Sequence, residues 1–330
     1  MTSVSNIFKS FEGKKIIVLG DVMIDTYIEG SVERMSPEAP VPVVNFEKRS
    51  SRLGGAANVA LNLKTLGAVP IICSIIGKDE QGELFLKLIN EAQLSPKGII
   101  PFDDRVTTVK TRLIGNNQQL LRVDQERIEP ISSSATFAMI EKVKEFCSKE
   151  EVEAIIFQDY NKGVLTAELI EKTISFANEK DLLTTVDPKK ENFKAYKNVS
   201  LFKPNLKELK EGTETEIDLN EKDTFLAAVK IIKEEMNPSF TFVTLSEHGV
   251  YINEDRKNHF IPAFPRQIAD VSGAGDTVIA VATLCLASDT EPKVLATLAN
   301  LAGGLVCEQV GVVSVNKAEL IKEAKAVIKS

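Results

Sequence analysis

The sequence has little histidine and few aromatic residues. Its 330 residues include no tryptophan and only two histidines, and aromatic side chains make up 6% of the chain. Neither His248 nor His259 has cysteine or histidine partners at the spacing of a zinc site, and no Gly-x-Ser-x-Gly sequence occurs. The sequence therefore argues against a protein-built zinc centre and against a Ser-His-Asp hydrolase.

Cysteine is scarce as well, and long apolar runs are absent. The four cysteines form no Cys-x-x-Cys pair, and Cys73 and Cys285 lie in apolar runs, where a thiol acts as a small hydrophobe. We expect free thiols in a reducing compartment. The first eleven residues lack the apolar core of a signal peptide, and no apolar run reaches the length of a membrane span. The sequence therefore predicts a cytoplasmic protein.

The charge balance is acidic, with 47 Asp and Glu residues against 40 Lys and Arg and a net charge of -7. Nucleic acids and anionic membranes both require a cationic surface, so neither is expected as a partner. The hydrophobic share of 43% is too high for a disordered chain. The length suits one large α/β domain or two small ones.

Short β-branched apolar runs alternate with longer amphipathic stretches along most of the chain. This alternation predicts a mostly parallel central sheet with helices on both faces, and ligands bound beyond the carboxyl ends of the strands. The predicted strands are 15–19, 71–76, 154–158, 183–187, 200–203 and 241–245. The predicted helices are 56–66, 81–92, 166–179, 206–212, 221–236, 277–287, 293–310 and 317–328.

Two segments, 27–46 and 107–124, break this rhythm because they contain no helical pattern. The second is two extended arms around Gly-Asn-Asn at 115–117, which is typical of a hairpin. We expect the two segments to form a small β lid over the sheet, with ordinary surface loops as the alternative. No linker or repeat occurs, so the chain is predicted to be one domain, 1–330. Exposed lid edges predict a homodimer through the lid.

The segment 270–277, Asp-Val-Ser-Gly-Ala-Gly-Asp-Thr, is followed directly by an apolar helix. Its small residues, Gly273, Ala274 and Gly275, leave backbone amides uncovered at a helix N-terminus, where they can bind an anion. Asp276 would lie beside that anion and accept the proton of an attacking hydroxyl, as phosphoryl transfer requires. The alternative is a glycine-rich turn whose aspartate only favours the helix start.

Polar residues in the first sixty positions suit a polyol ligand. Asp21 and Asp25 follow the first predicted strand, and Gly54 and Gly55 precede a helix that carries Asn58 in its first turn. Carboxylates accept protons from vicinal hydroxyls, and glycines allow a ligand to approach the backbone closely. The alternative is that Asp21 is a turn residue and Asn58 a polar residue at a helix start.

The pair of motifs Gly-Gly-Ala-Ala-Asn at 54–58 and Gly-Ala-Gly-Asp at 273–276 resembles the ribokinase-like (PfkB) carbohydrate kinases, over residues 14–313. A closer resemblance to the D-glycero-β-D-manno-heptose 7-phosphate kinases extends over 20–25, 36–44, 117–122, 159–163, 187–189 and 270–277. It implies a ribokinase-like fold and ATP-dependent phosphorylation of the anomeric hydroxyl to the 1,7-bisphosphate, on the route to ADP-heptose and lipopolysaccharide. Because little chain follows the last helix, it also implies a kinase without the adenylyltransferase domain of the bifunctional relatives.

The resemblance also assigns roles to individual residues, with ATP and Mg²⁺ as the cofactors. It implies that Asp276 is the catalytic base and that residues 273–275 form the anion hole. The positions that match family contacts to the sugar hydroxyls are Asp21, Asp25, Gly54, Gly55 and Asn58. Those that match the nucleotide and magnesium-phosphate region are Asn205, Glu208, Ser246, Gly249 and Asn300. Asn300 is placed near the adenine, or is simply a polar residue in a packed helix.

The spacing of Asn205 and Glu208 also fits a capping box. Because Mg²⁺ keeps most of its waters, Glu208 is expected to act on the metal through water. The phosphate of a phosphosugar needs cations, and Arg112 and Lys162 are favoured over other basic residues, with a solvated surface charge as the alternative. Two further functions stay open: another kinase of this fold, acting on ribose, fructose 6-phosphate or a nucleoside, and a regulator without catalysis.

Overall fold

The computed structural model describes residues 3–254 and 257–328, and it contains two sheets and flanking helices. The strands are β1 (Lys15–Gly20), β2 (Val22–Met35), β3 (Pro42–Gly55), β4 (Val69–Gly77), β5 (Ile99–Phe102), β6 (Val109–Gly115), β7 (Gln118–Gln125), β8 (Val152–Gln158), β9 (Leu183–Asp187), β10 (Leu201–Phe202), β11 (Phe240–Thr244), β12 (Val250–Glu254) and β13 (Lys257–Ile261). The helices are α1 (Val4–Ser10), α2 (Ala56–Leu66), α3 (Glu80–Glu91), α4 (Ser133–Lys149), α5 (Ala167–Glu179), α6 (Leu206–Thr213), α7 (Lys222–Met236), α8 (Ala274–Leu286), α9 (Pro292–Cys307) and α10 (Lys317–Val327).

The large sheet has nine strands in the order β13-β12-β11-β10-β9-β8-β1-β4-β5. All neighbours from β11 to β5 are parallel, and only the two pairs that involve β12 are antiparallel. Strand β1 lies near the middle and is buried on both sides, because Ile16 and Val18 pack into one hydrophobic core while Ile17 and Leu19 pack into the other. The predicted mostly parallel central sheet is confirmed.

Helices cover both faces of this sheet. Helices α2, α8 and α9 pack in the first core together with α1 and α10, while α4, α5 and α7 pack in the second. Predicted and observed bounds agree for α2 and β9 and differ by a few residues elsewhere. Helix α8 begins at Ala274 rather than at 277, so the glycine-rich segment forms its first turn. Helices α1 and α4, strand β5 and the β12–β13 hairpin were not predicted.

The second sheet has four strands in the order β3-β2-β6-β7 and contains both segments predicted to form a lid. The predicted bounds were too short, because β2 and β3 each have 14 residues and extend from Val22 to Gly55. The hairpin between β6 and β7 turns at Asn116 and Asn117, both with positive φ, as predicted. Only one residue separates β1 from β2, and β3 continues directly into α2. The two sheets are therefore joined at the carboxyl end of β1.

The edge strand β7 is exposed along its whole length, including Leu121 and Val123, which are 55% and 56% exposed. An apolar edge of this kind favours association with another chain. The homodimer stays a prediction.

Within the described residues no helix is long and apolar enough to cross a membrane. The cysteines are free, and three of the four are buried, with Cys147 half-buried.

The packing of the central sheet gives a stability prediction. Phe157 on β8 is fully buried and packs edge-to-face on Tyr196, whereas Phe137 on α4 is 66% exposed. We expect Phe157→Ala to lower the free energy of unfolding by about 3–5 kcal/mol, because it leaves a cavity in a packed core. Phe137→Ala is the matched control and should change it by less than about 0.5 kcal/mol. Urea denaturation measures both, and equal losses would contradict the packing described for β8.

Candidate active site

A cavity of about 800 Å³ opens beyond the carboxyl ends of β9, β10 and β11, beside the N-terminus of α8. This is the edge at which ligands bind in sheets of this type. The predicted nucleotide residues and the predicted anion hole, which lie far apart in the sequence, all line this cavity. They are Asn205, Ser246, Gly249, Asn300, Gly273, Ala274 and Gly275. The structure therefore brings these predicted residues together in one cavity, although their roles stay predictions.

The first turn of α8 is shaped by Gly273, which caps the helix in a left-handed conformation with φ 81°. A side chain at this position would be strained, and its Cβ would lie 2.8 Å from the amide nitrogen of Asn58. The position therefore requires glycine for two independent reasons.

The backbone amides of this turn differ from one another in their partners. The N–H of Ala274 donates to the carbonyl of Val271 at 3.3 Å, so it is engaged within the turn. In the described ranges, the N–H groups of Gly273, Gly275 and Asp276 have no backbone acceptor. These three amides lie at the positive end of the helix dipole, where backbone N–H groups can bind an anion. Two of the three residues predicted for the anion hole, Gly273 and Gly275, therefore have N–H groups without a backbone acceptor, and the anion-binding role stays a prediction.

Asp276 lies in this first turn and is 2% exposed. Its Oδ2 accepts a hydrogen bond from Asn58 Nδ2 at 2.8 Å. Its Oδ1 accepts two, from the Tyr160 hydroxyl at 2.7 Å and from Gln158 Nε2 at 3.1 Å. Three donors from two distant parts of the chain therefore hold one buried carboxyl group.

The environment of Asp276 shifts its titration toward neutral pH. Burial raises the pKa of this carboxyl group to about 7, and the negative charge of Asp187 adds to the rise. The hydrogen bonds from Asn58 and Tyr160 and the charge of Lys203 lower the same pKa. A carboxylate that gains a proton near neutral pH is suited to general base catalysis.

A buried ion pair lies under the start of α8. Lys203 is fully buried, and its Nζ lies 3.0 Å from Oδ1 of Asp187. A Cβ on Gly275 would lie 3.3 Å from Asp187 Oδ2 and 3.9 Å from Lys203 Nζ. Gln158 Nε2 also contacts Asp187 Oδ2, at 3.3 Å, so its amide bridges Asp187 and Asp276. The start of α8 therefore lies close to a charged cluster at the ends of β8 and β9.

Asn205 and Glu208 form the capping box of α6. The Glu208 N–H donates to Asn205 Oδ1 at 2.8 Å, and the Asn205 N–H donates to Glu208 Oε2 at 2.9 Å. Glu208 Oε1 pairs with Lys189. Both carboxylate oxygens already have partners, which fits contact with Mg²⁺ through water better than direct ligation. Among the described residues no cluster of three or more acidic, histidine or cysteine side chains could enclose a metal ion.

Asp21 is buried at the junction of the two sheets. Its carboxylate accepts the backbone N–H groups of Tyr160 at 2.9 Å, Lys162 at 3.1 Å and Val164 at 3.1 Å. Burial raises its pKa to about 6, and the nearby charge of Asp159 contributes. Asp21 therefore fixes the segment 160–164, and its contact with a sugar stays a prediction.

Asp25 and Arg112 face each other from neighbouring strands, with 2.5 Å between Oδ1 of Asp25 and NH1 of Arg112. Gly54 is required beside them, because a Cβ there would lie 2.1 Å from Asp25 Oδ2. Gly55, with φ 60°, ends β3 and caps α2. The guanidinium of Arg112 also lies over the ring of Tyr27, 5.4 Å from its centroid.

The two cations predicted to bind a sugar phosphate are not solvated surface charges. The side chain of Arg112 is 14% exposed, and that of Lys162 is 16% exposed. Each has a carboxylate partner, Asp25 for Arg112 and Glu126 for Lys162, the latter at 2.8 Å. The alternative of free surface charge is therefore wrong for both residues. Their phosphate-binding role stays a prediction.

Residues 13–319 match the pfkB family of carbohydrate kinases. The chain belongs to this family. The bifunctional protein HldE of Helicobacter pylori (strain HPAG1) is 38% identical over 300 residues, which cover 90% of this chain and 64% of that protein. The HldE of Sulfurimonas denitrificans is 38% identical over 314 residues, which cover 95% and 65%. The chain therefore spans about two thirds of the length of these curated relatives.

Solved structures show the same fold at low sequence identity. Escherichia coli phosphofructokinase-2 in complex with substrates and products superposes with a TM-score of 0.78 at 17% identity, over 96% of this chain and 100% of that one. Arabidopsis thaliana ribokinase complexed with ribose and ATP gives 0.72 at 14%, over 95% and 99%. Family membership makes the protein a carbohydrate kinase, that is, a phosphotransferase. The alternative of a regulator without catalysis is not supported.

Four residues of this pfkB-family kinase were not predicted as part of the site. They are Gln158, Tyr160, Asp187 and Lys203. Gln158 and Asp187 are the last residues of the adjacent parallel strands β8 and β9, so their position in the sheet was a usable signal. Tyr160 and Asp187 belong to sequence segments that resemble the heptose kinases. No sequence pattern indicated that these side chains converge on Asp276.

The shifted titration of Asp276 predicts how stability depends on pH. Because its pKa is raised by burial to about 7, the folded kinase holds a proton that the unfolded chain releases between about pH 4 and pH 7. This group therefore stabilises the fold at low pH, and the contribution is lost as the pH rises through that window. We expect the free energy of unfolding of Asp276→Asn, relative to wild type, to increase by about 1–3 kcal/mol from about pH 5 to pH 8.

Urea denaturation across this pH range measures the effect. Asp289→Asn is the matched control, because Asp289 is exposed just beyond the other end of α8 and its left-handed backbone suits asparagine. The relative stability of this control should not change with pH. A pH-independent difference for Asp276→Asn would contradict the burial and charge environment described here.

Proposed function

We propose that the kinase transfers the γ-phosphoryl group of ATP to the anomeric hydroxyl of D-glycero-β-D-manno-heptose 7-phosphate. The products are the 1,7-bisphosphate and ADP. The heptose substrate is supported by the motifs at 20–25, 36–44 and 159–163, and by the similarity to HldE proteins. The observation that carries the reaction type is Asp276, a buried carboxyl group with a pKa raised by burial to about 7, which lies beside the uncovered amides of α8.

In the proposed reaction, Asp276 accepts the proton of the sugar hydroxyl as its oxygen attacks the γ-phosphorus. The bond between that phosphorus and the bridging oxygen of ADP breaks, so ADP carries away the bonding electron pair. The negative charge on the transferred phosphoryl group faces the N–H groups of Gly275 and Asp276 at the positive end of α8. The proton leaves Asp276 for solvent after the products dissociate.

The sugar is proposed to bind between the two sheets, where Asn58 contacts Asp276 and Gly54 lies beside Asp25. Arg112 and Lys162 are proposed to hold its 7-phosphate, exchanging their carboxylate partners for phosphate oxygens. A guanidinium suits this task because it binds phosphate through two parallel hydrogen bonds. The four-stranded sheet would cover the bound sugar and exclude water, which limits wasteful hydrolysis of the nucleotide.

ATP is proposed to occupy the cavity of about 800 Å³ next to α8, with Ser246, Gly249 and Asn300 around the nucleoside. Support comes from the shared fold of the Arabidopsis ribokinase, which was solved with ribose and ATP. Mg²⁺ would neutralise the phosphate charges, with Glu208 holding it through water. The donors fit this outer role because both oxygens of Glu208 already have protein partners.

The role of Asp276 as the base predicts a selective loss of turnover. Asp276→Asn should lower kcat by several orders of magnitude, because the amide cannot accept the proton, while nucleotide affinity changes little. Steady-state kinetics and calorimetric titration with an ATP analogue measure the two quantities. Asp289→Asn makes the same chemical change on an exposed residue and should keep wild-type turnover. A variant Asp276→Asn that retained most of its turnover would exclude this residue as the base.

The substrate is tested with a panel of sugars in a coupled assay of ADP release. We expect the heptose 7-phosphate to give a far higher kcat/KM than ribose, fructose 6-phosphate or a nucleoside. Arg112→Lys should raise the KM for the phosphosugar while leaving the KM for ATP unchanged, because lysine lacks the planar fork of donors. Preference for an unphosphorylated sugar would refute the heptose 7-phosphate and favour another sugar kinase activity.

A further inference from the structure

Asp276 receives unequal numbers of hydrogen bonds at its two carboxylate oxygens. Oδ1 accepts from the Tyr160 hydroxyl at 2.7 Å and from Gln158 Nε2 at 3.1 Å. Oδ2 accepts only from Asn58 Nδ2, at 2.8 Å. Because a carboxylate oxygen offers about two lone-pair sites, Oδ1 is fully used and Oδ2 has one site left.

We propose that Tyr160 is a positioning residue for phosphoryl transfer: its hydroxyl, together with Gln158, fills Oδ1 of Asp276 and leaves Oδ2 to take the proton of the attacking hydroxyl. The inference rests on the proposed role of Asp276 as the base. Tyr160 acts through Asp276 and needs no contact of its own with the sugar hydroxyl.

The direction of the Tyr160 hydrogen bond is fixed by chemistry. An ionised carboxylate can only accept, so the phenol must donate. Burial and the adjacent charge of Asp276 raise the pKa of Tyr160 well above its ordinary value, which keeps the proton on the phenol oxygen. The hydroxyl is therefore a permanent donor to the base at any pH at which the enzyme works.

The position of Tyr160 is fixed at two points besides its hydroxyl. Its backbone N–H donates to Asp21 Oδ2 at 2.9 Å, which ties it to the carboxyl end of β1. The Nζ of Lys189 lies 5.6 Å from the centroid of its ring, at a cation–π distance. Lys189 is held in turn by Glu208 of α6. A ring anchored on both sides can aim its hydroxyl at one carboxylate oxygen.

Removing the Tyr160 hydroxyl should make Asp276 harder to ionise. The groups that face Asp276 are Asp187 and Lys203 from the main sheet, Asn58 from α2, Gln158 from β8 and Tyr160 itself. Of these, Asp187 raises the pKa of Asp276, while Lys203, Asn58 and Tyr160 lower it. Without the phenol one lowering interaction is lost, so the pKa of Asp276 rises and the base is active only at higher pH.

Tyr160→Phe tests the inference, because phenylalanine keeps the ring under Lys189 and removes only the hydroxyl. We expect kcat at pH 7 to fall about 10- to 50-fold, since a hydrogen bond to a charged group is lost. The acid limb of the kcat–pH profile should move up by about one pH unit, so activity recovers partly at high pH. The KM values for sugar and ATP should stay within about twofold of wild type.

Tyr196→Phe is the matched control. The Tyr196 hydroxyl is also buried and donates to a carboxylate at 2.7 Å, but its acceptor is Oδ2 of Asp159 rather than the proposed base. This variant should lose thermal stability and keep the acid limb of the wild-type profile. A wild-type profile for Tyr160→Phe, or an equal shift in Tyr196→Phe, would refute a positioning role for Tyr160.

A second measurement does not depend on which sugar the kinase uses. Carbon-13 NMR of aspartate-labelled protein follows the Asp276 carboxyl signal, which is assigned by its loss in Asp276→Asn. Its pKa should rise by about one unit in Tyr160→Phe. An unchanged pKa would refute the inference, even if the sugar panel supports the heptose substrate. If the panel instead rejects that substrate, a shifted pKa still supports Tyr160.

Should Tyr160→Phe not fold, Gln158→Met removes the other donor to Oδ1 with little change in volume. The same upward movement of the acid limb and of the Asp276 pKa is expected, because Gln158 also stabilises the charged form. An unchanged limb in this variant would show that the donors to Oδ1 do not position the base, and the inference would fail.

Discussion

The hydrogen bonding of one buried carboxyl group, that of Asp276, connects most of the elements around the site. Burying a charge is costly unless hydrogen bonds replace its water, and here the donors come from Asn58 of α2, Gln158 of β8 and Tyr160 beyond β8. These donors meet only when α2, α8 and the carboxyl ends of the central strands are packed together. These hydrogen bonds do not fully offset the lost hydration of the charged carboxylate, so burial raises the pKa of Asp276 to about 7. A pKa near neutral suits the proposed role of Asp276 as the base.

A second buried carboxylate, Asp21, supports the first. Its carboxylate accepts hydrogen bonds from the backbone N–H groups of Tyr160, Lys162 and Val164. In a strand or helix peptide carbonyls would accept these bonds, but this segment forms neither. Irregular backbone near a core needs such acceptors, since unsatisfied N–H groups are expensive to bury. Because Asp21 directly follows the central strand β1, this buried strand fixes the position of Tyr160, whose hydroxyl contacts the proposed base, Asp276.

An acidic protein with a net charge of -7 can still bind two anions if positive potential is local. The kinase offers two sources: the amides at the start of α8, and basic side chains that already have acidic partners, such as Arg112 with Asp25 and Lys162 with Glu126. Pairing keeps these cations oriented and removes the entropy cost of ordering them later. A phosphate that binds there must compete with a carboxylate, which favours a ligand of higher charge.

The sequence alone indicated the alternation of strands and helices, the two glycine motifs and the family that they resemble. These features depend on residues that are close together in the chain, as local hydrophobic patterns and tight turns do. It also indicated the segments of the second sheet, although β2 and β3 proved longer, since their pairing partner and not their composition sets their length. Tertiary structure alone decided which side chains meet. Gln158 and Tyr160 are both separated from Asp276 by more than a hundred residues of chain, and their convergence on it depends on which strands are neighbours in the sheet. The proposed base, Asp276, was predicted from the sequence, but the donors that shift its pKa are defined only by the fold.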